Sequence, residues 1–176
     1  MLGLKRGTVK IKPHCSYWED DAKENIALLK NISAAVAVDI QHIGSTTIKS
    51  IHAKPIIDIV VGVRNLNDIK LFTGTLKYNG FIFRGSDQAE QLLFVKGDFV
   101  NDTRTHHIHI VKWNGKQWNN YINFRDYLNF NKDMADEYDR LKMKLQKEYP
   151  NDRNAYTSGK QKLIDKILSE AQVWRK

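Results

Sequence analysis

Apolar and polar positions change their period once along the chain, near residue 117. Before it, short apolar runs are separated by turn residues, the pattern of strands. After it, apolar residues recur every three to four positions, the pattern of helices. Residues 8–12 alternate like a short edge strand, closed by Pro13. Ser16 and Glu19 have the spacing of a capping box, which predicts a helix to about Lys30 that buries Trp18, Ala22, Ile26 and Leu29. Residues 36–43 read as a strand. Residues 56–63 read as a strand buried on both faces, because the run is apolar apart from Asp58 and Gly62. Asn67 is placed to cap a helix over 68–78, ended by Asn79-Gly80. Residues 81–83, 91–95 and 105–113 follow as strands, the last closed by the Asn114-Gly115 turn signal.

The second part carries three apolar stripes at helical spacing: Tyr121, Phe124, Tyr127 and Leu128; Met134, Tyr138, Leu141 and Leu145; then Leu163, Ile164, Ile167, Leu168, Ala171 and Trp174. Pro150-Asn151-Asp152 separates the last two. The expected fold class is α/β, with a sheet core over about 1–116 and a helical extension over about 117–176, in a single domain over 1–176.

The length of 176 residues and the 41% hydrophobic content suit one such domain. No apolar run approaches the ~20 residues of a membrane span. The N-terminal stretch has charges but no apolar core, so no secretory signal is expected and the cytoplasm is the default location. The one cysteine, Cys15, has no intramolecular partner. Net charge is +8, and residues 140–176 hold ten Lys/Arg against four Asp/Glu. That basic end is either a solvated helix face or a surface for polyanions such as nucleotides or RNA.

Candidate chemistry starts at Gly44-Ser45-Thr46. A glycine at a strand end lets the backbone turn sharply, and the following amides and hydroxyls can converge on an anion. An ordinary capped turn has the same residues. Asp58 is the second signal, because a lone carboxylate on a buried strand needs a cation. A salt bridge to Lys54, Arg84 or Arg104 would satisfy it, and so would a metal ion. A phosphate loop beside a strand carboxylate is an arrangement that places Mg²⁺ against a triphosphate. His107 and His109 share a face of their strand, and His106 points the other way. If that strand neighbours Asp58, two imidazoles and a carboxylate converge, either as structural hydrogen-bonding groups or as a metal or acid–base site. His42 could join that face. Glu90 could supply a second acid. Lys54, Arg84, Arg104 and Arg125 could meet phosphate, and Arg125 could instead pair with Asp126. Tyr156 and Lys160 are spaced to lie on one helical face, where they could meet a nucleotide or cover the core.

The Gly-Ser turn followed by an acidic strand resembles the nucleotidyltransferase superfamily. HIGSTTIKSIHAKPIIDIVVGV, residues 42–63, is similar to the signature of the GrpB family. RTHHIHIV at 104–111, FRDYL at 124–128, YDRLK at 138–142 and AYTSGK at 155–160 follow in the family's order. The resemblance implies a minimal nucleotidyltransferase-like mixed sheet with flanking helices and a C-terminal helical extension. Gly44, Ser45 and Thr46 are then the candidates for phosphate, and Lys54, Arg104, Tyr156 and Lys160, read from their own chemistry, are the further candidate nucleotide contacts. Asp58, His107 and His109 are then the catalytic and metal-binding candidates. Mg²⁺ or Mn²⁺ is the expected ion, and a transition metal at the histidines is the other option. One departure stands out. Active superfamily members carry a second acid two residues after the first, and residue 60 here is valine.

Four readings follow: nucleotidyl transfer from an NTP to an unidentified acceptor; a nucleotide- or anion-binding module that has lost the reaction; nucleic-acid binding through the basic helices; and metal-dependent hydrolysis at Asp58, His107 and His109. The third lacks any recognised nucleic-acid motif, and none involves a membrane.

Overall fold

The computed structural model describes residues 2–88 and 90–176. Its strands are β1 Leu4–Lys5, β2 Ala37–Ile43, β3 Ile57–Val63, β4 Ile82–Gln88, β5 Gln91–Lys96, β6 Thr103–Arg104 and β7 His106–Lys112. Its helices are α1 Tyr17–Ser33, α2 Thr73–Tyr78, α3 Lys116–Phe130, α4 Lys132–Glu148, α5 Arg153–Gly159 and α6 Gln161–Trp174. Tight 3-10 turns occupy Ser45–Thr47 and Leu66–Phe72.

Five strands form one mixed sheet in the order β2-β3-β7-β5-β4, with β3 and β7 parallel and the other pairs antiparallel. The apolar run of β3 lies near the sheet centre, where both faces are covered. Six of its seven residues are buried, and Asp58 is the exception. On one face α1 lays Trp18, Ala22 and Leu29 against Ile57, Ile59, Val61, Ile108 and Ile110. On the other, Trp118 of α3 covers Ile43, Val60 and Val111. Gly62 makes that possible: a β-carbon there would lie 2.8 Å from atoms of both Trp113 and Trp118. Helices α3, α4 and α6 share a further core of Tyr127, Leu128, Met134, Tyr138, Ile167 and Ala171, which also takes in Ile48 and Ile51 from the loop before β3. The helical layer is thus fastened to the sheet by the segment that follows the Gly44 turn. No described helix is long and apolar enough to cross a membrane.

Several local expectations differ. Ser16 precedes α1 in a helical conformation and makes no capping hydrogen bond. Its expected reciprocal partner Glu19 instead pairs with Lys49 at 3.5 Å, so the helix begins without a capping box. Residues 8–12 contribute only an isolated bridge, Lys12 to Ala53. The edge ribbon is instead β1 with β6. The cap ahead of α2 is Asn65, whose side chain accepts from the Asn67 amide at 3.0 Å, and the chain takes a 3-10 path before α2. The final helical stretch is divided into α5 and α6, with Asp152 capping α5 through the Ala155 amide at 2.9 Å.

Candidate functional site

Strand register assembles the site. Parallel pairing sets Asp58 beside His107 and Val60 beside His109. Antiparallel β2 sets Ile43 beside Asp58 and Gln41 beside Val60. On the other flank, Val95 lies beside His107 and Leu93 beside His109. These side chains share the face turned toward the C-terminal helices, by the alternation of strand side chains.

Asp58 Oδ1 lies 3.1 Å from His107 Nδ1 and 3.4 Å from His109 Nε2. The side chains that pair with Asp58 are therefore imidazoles, and none of Lys54, Arg84 and Arg104 makes an ion pair with it among the described residues. Burial by itself pushes the Asp58 carboxyl up, but the hydrogen bonds and charge of His107 and His109 outweigh it and hold the group well below the usual carboxylate range. The Asp58 side chain keeps 30% of its surface exposed, so the cluster opens to solvent on one side. Behind His109, Nδ1 lies 3.2 Å from the Tyr121 hydroxyl, which donates to Gln91 Oε1 at 2.7 Å.

The Gly44 turn closes over Asp58. Gly44 has φ 75 and ψ −173, a conformation that favours glycine. Thr47 donates its hydroxyl to the Gly44 carbonyl at 2.6 Å. Thr46 is buried, with its hydroxyl 2.8 Å from His42 Nε2. Those two hydroxyls hold the turn. Ser45 shares a hydrogen bond with Tyr138 of α4. His42 pairs with Ile59 in the register and so faces α1, not Asp58. Burial lowers its imidazole to about 4, so it is neutral at physiological pH.

A second cluster stands beside the first. Lys54, just before β3, and Lys160, between α5 and α6, place their ammonium nitrogens 5.4 and 4.6 Å from the centroid of the Tyr156 ring. Neither makes an ion pair among the described residues. Burial, then the charges of Lys160 and Arg153, lower Lys54 to about 7. Burial also lowers Lys160 to about 8, and the negative charge of Asp58 opposes the shift in both. Lys142 is buried more deeply. Its ammonium donates to the His52 carbonyl and sits 3.5 Å from Asp139, whose other oxygen is 2.8 Å from His52 Nδ1. Sequence reasoning did not single out Lys142, His52 or Asp139. Their only signal was the family blocks, YDRLK for Asp139 and Lys142 and the 42–63 segment for His52, because a buried lysine has the same period as a surface one.

Other candidates lie elsewhere. Arg104 bonds Asp102 at 3.0 Å, and its guanidinium and that of Arg84 stack on Phe99. Arg125 donates to Gln41 Oε1 at 2.7 Å, to the His42 carbonyl at 3.0 Å and to Asp126 at 2.7 Å, tying α3 to β2. Glu90 is exposed and adjoins Gln91, which pairs with Val111 at the end of the ladder away from Asp58. It brings no second acid to the cluster.

Known proteins resemble the chain in sequence and in fold. The family described as "GrpB protein" matches residues 8–170. The chain is 42% identical over 173 residues to the Glutamate-rich protein GrpB of Alkalihalophilus pseudofirmus, covering 97% of this chain and 99% of the relative. It is 33% identical to the UPF0157 protein YqkA of Bacillus subtilis over 90% of this chain, but spans only 46% of that longer relative. The crystal structure of conserved protein GrpB from Enterococcus faecalis superposes with a TM-score of 0.86 at 29% identity, covering 94% of this chain and 99% of that one. The Cid1 poly(U) polymerase with MgGTP bound superposes at 0.52 and 16% identity, over 78% of this chain and 44% of that one, a likeness of fold.

Proposed function

The chain belongs to the GrpB family and has a nucleotidyltransferase-like fold, and from that premise we propose that it binds a nucleoside triphosphate and transfers the nucleotidyl group to an acceptor hydroxyl. The observation that carries the reading is the pair Lys54 and Lys160, half-buried on the Tyr156 ring beside Asp58 and without an ion-pair partner among the described residues. Burying two unpaired ammonium groups is costly. The arrangement suits an anion of several charges, and a triphosphate tail brings both the charge and the length. The Tyr156 ring restricts where the two ammonium groups can move.

In this reading the acceptor oxygen forms a bond to the α-phosphorus as the bridge to the β-phosphate breaks. Pyrophosphate leaves onto Lys54, Lys160 and Arg153, which neutralise the developing charge. The acceptor proton passes to water at the open side of Asp58, and a loose transition state asks little of a base. Mg²⁺, which accompanies GTP in the Cid1 structure, takes an octahedron of oxygens. One carboxylate and two imidazoles do not fit it.

Val60 favours a second reading, a binding module that has lost the reaction. It occupies the position of the second acid and is wholly buried. Thermal shift against ATP, GTP, CTP and UTP, with pyrophosphate release measured in parallel, decides between the two. Stabilisation by an NTP that is lost in the Lys54→Ala/Lys160→Ala double variant supports the site. Pyrophosphate release then supports transfer, and its absence the module. No shift with any nucleotide sinks both.

A further inference from the structure

The donor atoms around Asp58 match a class of ion other than Mg²⁺. A carboxylate oxygen and two imidazole nitrogens, each from a different side chain, lie within 4.8 Å of one another. Imidazole nitrogen suits zinc, iron and their neighbours, whereas Mg²⁺ prefers oxygen. Spacing agrees. Ligands bonded at ~2.0–2.1 Å in a tetrahedron stand about 3.3 Å apart. Asp58 Oδ1 stands 3.1 and 3.4 Å from the two nitrogens.

The hydrogen bonds behind His109 point the same way. The Tyr121 hydroxyl has one proton and donates it to Gln91 Oε1 at 2.7 Å. Its oxygen lies 3.2 Å from His109 Nδ1, placed to accept from that nitrogen. That contact behind the ring leaves Nε2 turned toward Asp58 Oδ1, 3.4 Å away. A metal ion seated between them would take the nitrogen and the carboxylate oxygen as ligands. A histidine whose outer N–H is fixed by a polar group, with its inner nitrogen beside a carboxylate, is the arrangement that orients metal ligands.

We infer that Asp58, His107 and His109 bind one divalent transition-metal ion of the zinc, iron(II) and cobalt(II) class, with Tyr121 and Gln91 fixing His109 from behind. Three protein ligands leave coordination positions free on the open side of Asp58, for water or a substrate oxygen. The inference stands whether or not the chain takes a nucleotide.

The test uses the full chain, stripped with a chelator and titrated with Co²⁺ without nucleotide. Ligand-field bands in the visible spectrum report the site, and Zn²⁺ competition gives affinity. One Co²⁺ per chain is expected, displaced by Zn²⁺ and untouched by excess Mg²⁺. His107→Gln and His109→Gln should each weaken binding by at least about 10-fold, and Tyr121→Phe by about 10-fold or more. His52→Gln, at the separate Asp139 pair, should change nothing. Circular dichroism checks that each variant is folded, and Tyr121→Phe carries the test if a histidine variant is not. Co²⁺ binding that survives the variants, equal competition by Mg²⁺, or no Co²⁺ bands overturns the inference. None of these outcomes bears on the nucleotide reading, which thermal shift tests separately.

Discussion

Gly44 and Asp58 touch so closely that a β-carbon on the glycine would lie 2.7 Å from Asp58 Oδ2. The turn and the carboxylate are therefore one unit. Gly44→Ala meets both that contact and a backbone at φ 75. The backbone cost alone is about 1–3 kcal/mol. A lower urea midpoint with an unchanged slope is expected, together with weakened Co²⁺ binding. A variant of wild-type stability would show that the turn adapts freely.

Val60→Asp tests whether a second acid can simply be restored. Val60 faces the same side as Asp58 but lies under Trp118 with Ile43 and Val111, at 0% exposure. A carboxylate there is buried without a partner, so the variant should lose about 3 kcal/mol or more. No new Mg²⁺ site is expected. Near-wild-type stability with tight Mg²⁺ binding would contradict the closed packing around Val60.

The lysine pair predicts a pH dependence. In the folded chain Lys54 titrates near about 7 and Lys160 near about 8, both below the ordinary 10.5. Between those values the unfolded chain binds more protons than the folded one. The two groups therefore make stability rise with pH from about 7 toward 10.5, and they work against folding below that window. Lys54→Met and Lys160→Met should flatten the rise. Pyrophosphate restores the charged form, so its binding at pH near 8 should take up protons. Calorimetry in two buffers of different ionisation enthalpy measures this, and binding without proton uptake would refute the assignment.

Asp139 and Lys142 form a pair at 3.5 Å, with side chains 17% and 2% exposed. Removing the acid strands the ammonium. Asp139→Ala should cost about 3–5 kcal/mol, and adding Lys142→Met should recover part of it. Equal stability of the two variants would mean that the His52 carbonyl alone satisfies Lys142.

The period of apolar residues was enough to locate the five sheet strands, α1, and the change to helices after the sheet, because burial of one face or two leaves a local record. It also showed that His107 and His109 share a face, and that Asp58 and Val60 do. Local chemistry misled where competing partners existed. Ser16 and Glu19 have capping-box spacing, yet Glu19 is drawn to Lys49. Arg104 looked available for phosphate, yet Asp102 and Phe99 engage it.

Tertiary structure alone decided which strand stands beside which. Asp58 and His107 are 49 residues apart in sequence and adjacent in space, because β3 and β7 pair in parallel at the sheet centre. Period states that a strand is buried but not what covers it. The same holds for Lys54, Lys142 and Lys160, which come from three separate segments and meet only when the C-terminal helices pack on the sheet. A sequence records each residue's preference for burial. Charges brought together against that preference become visible only once the chain is folded.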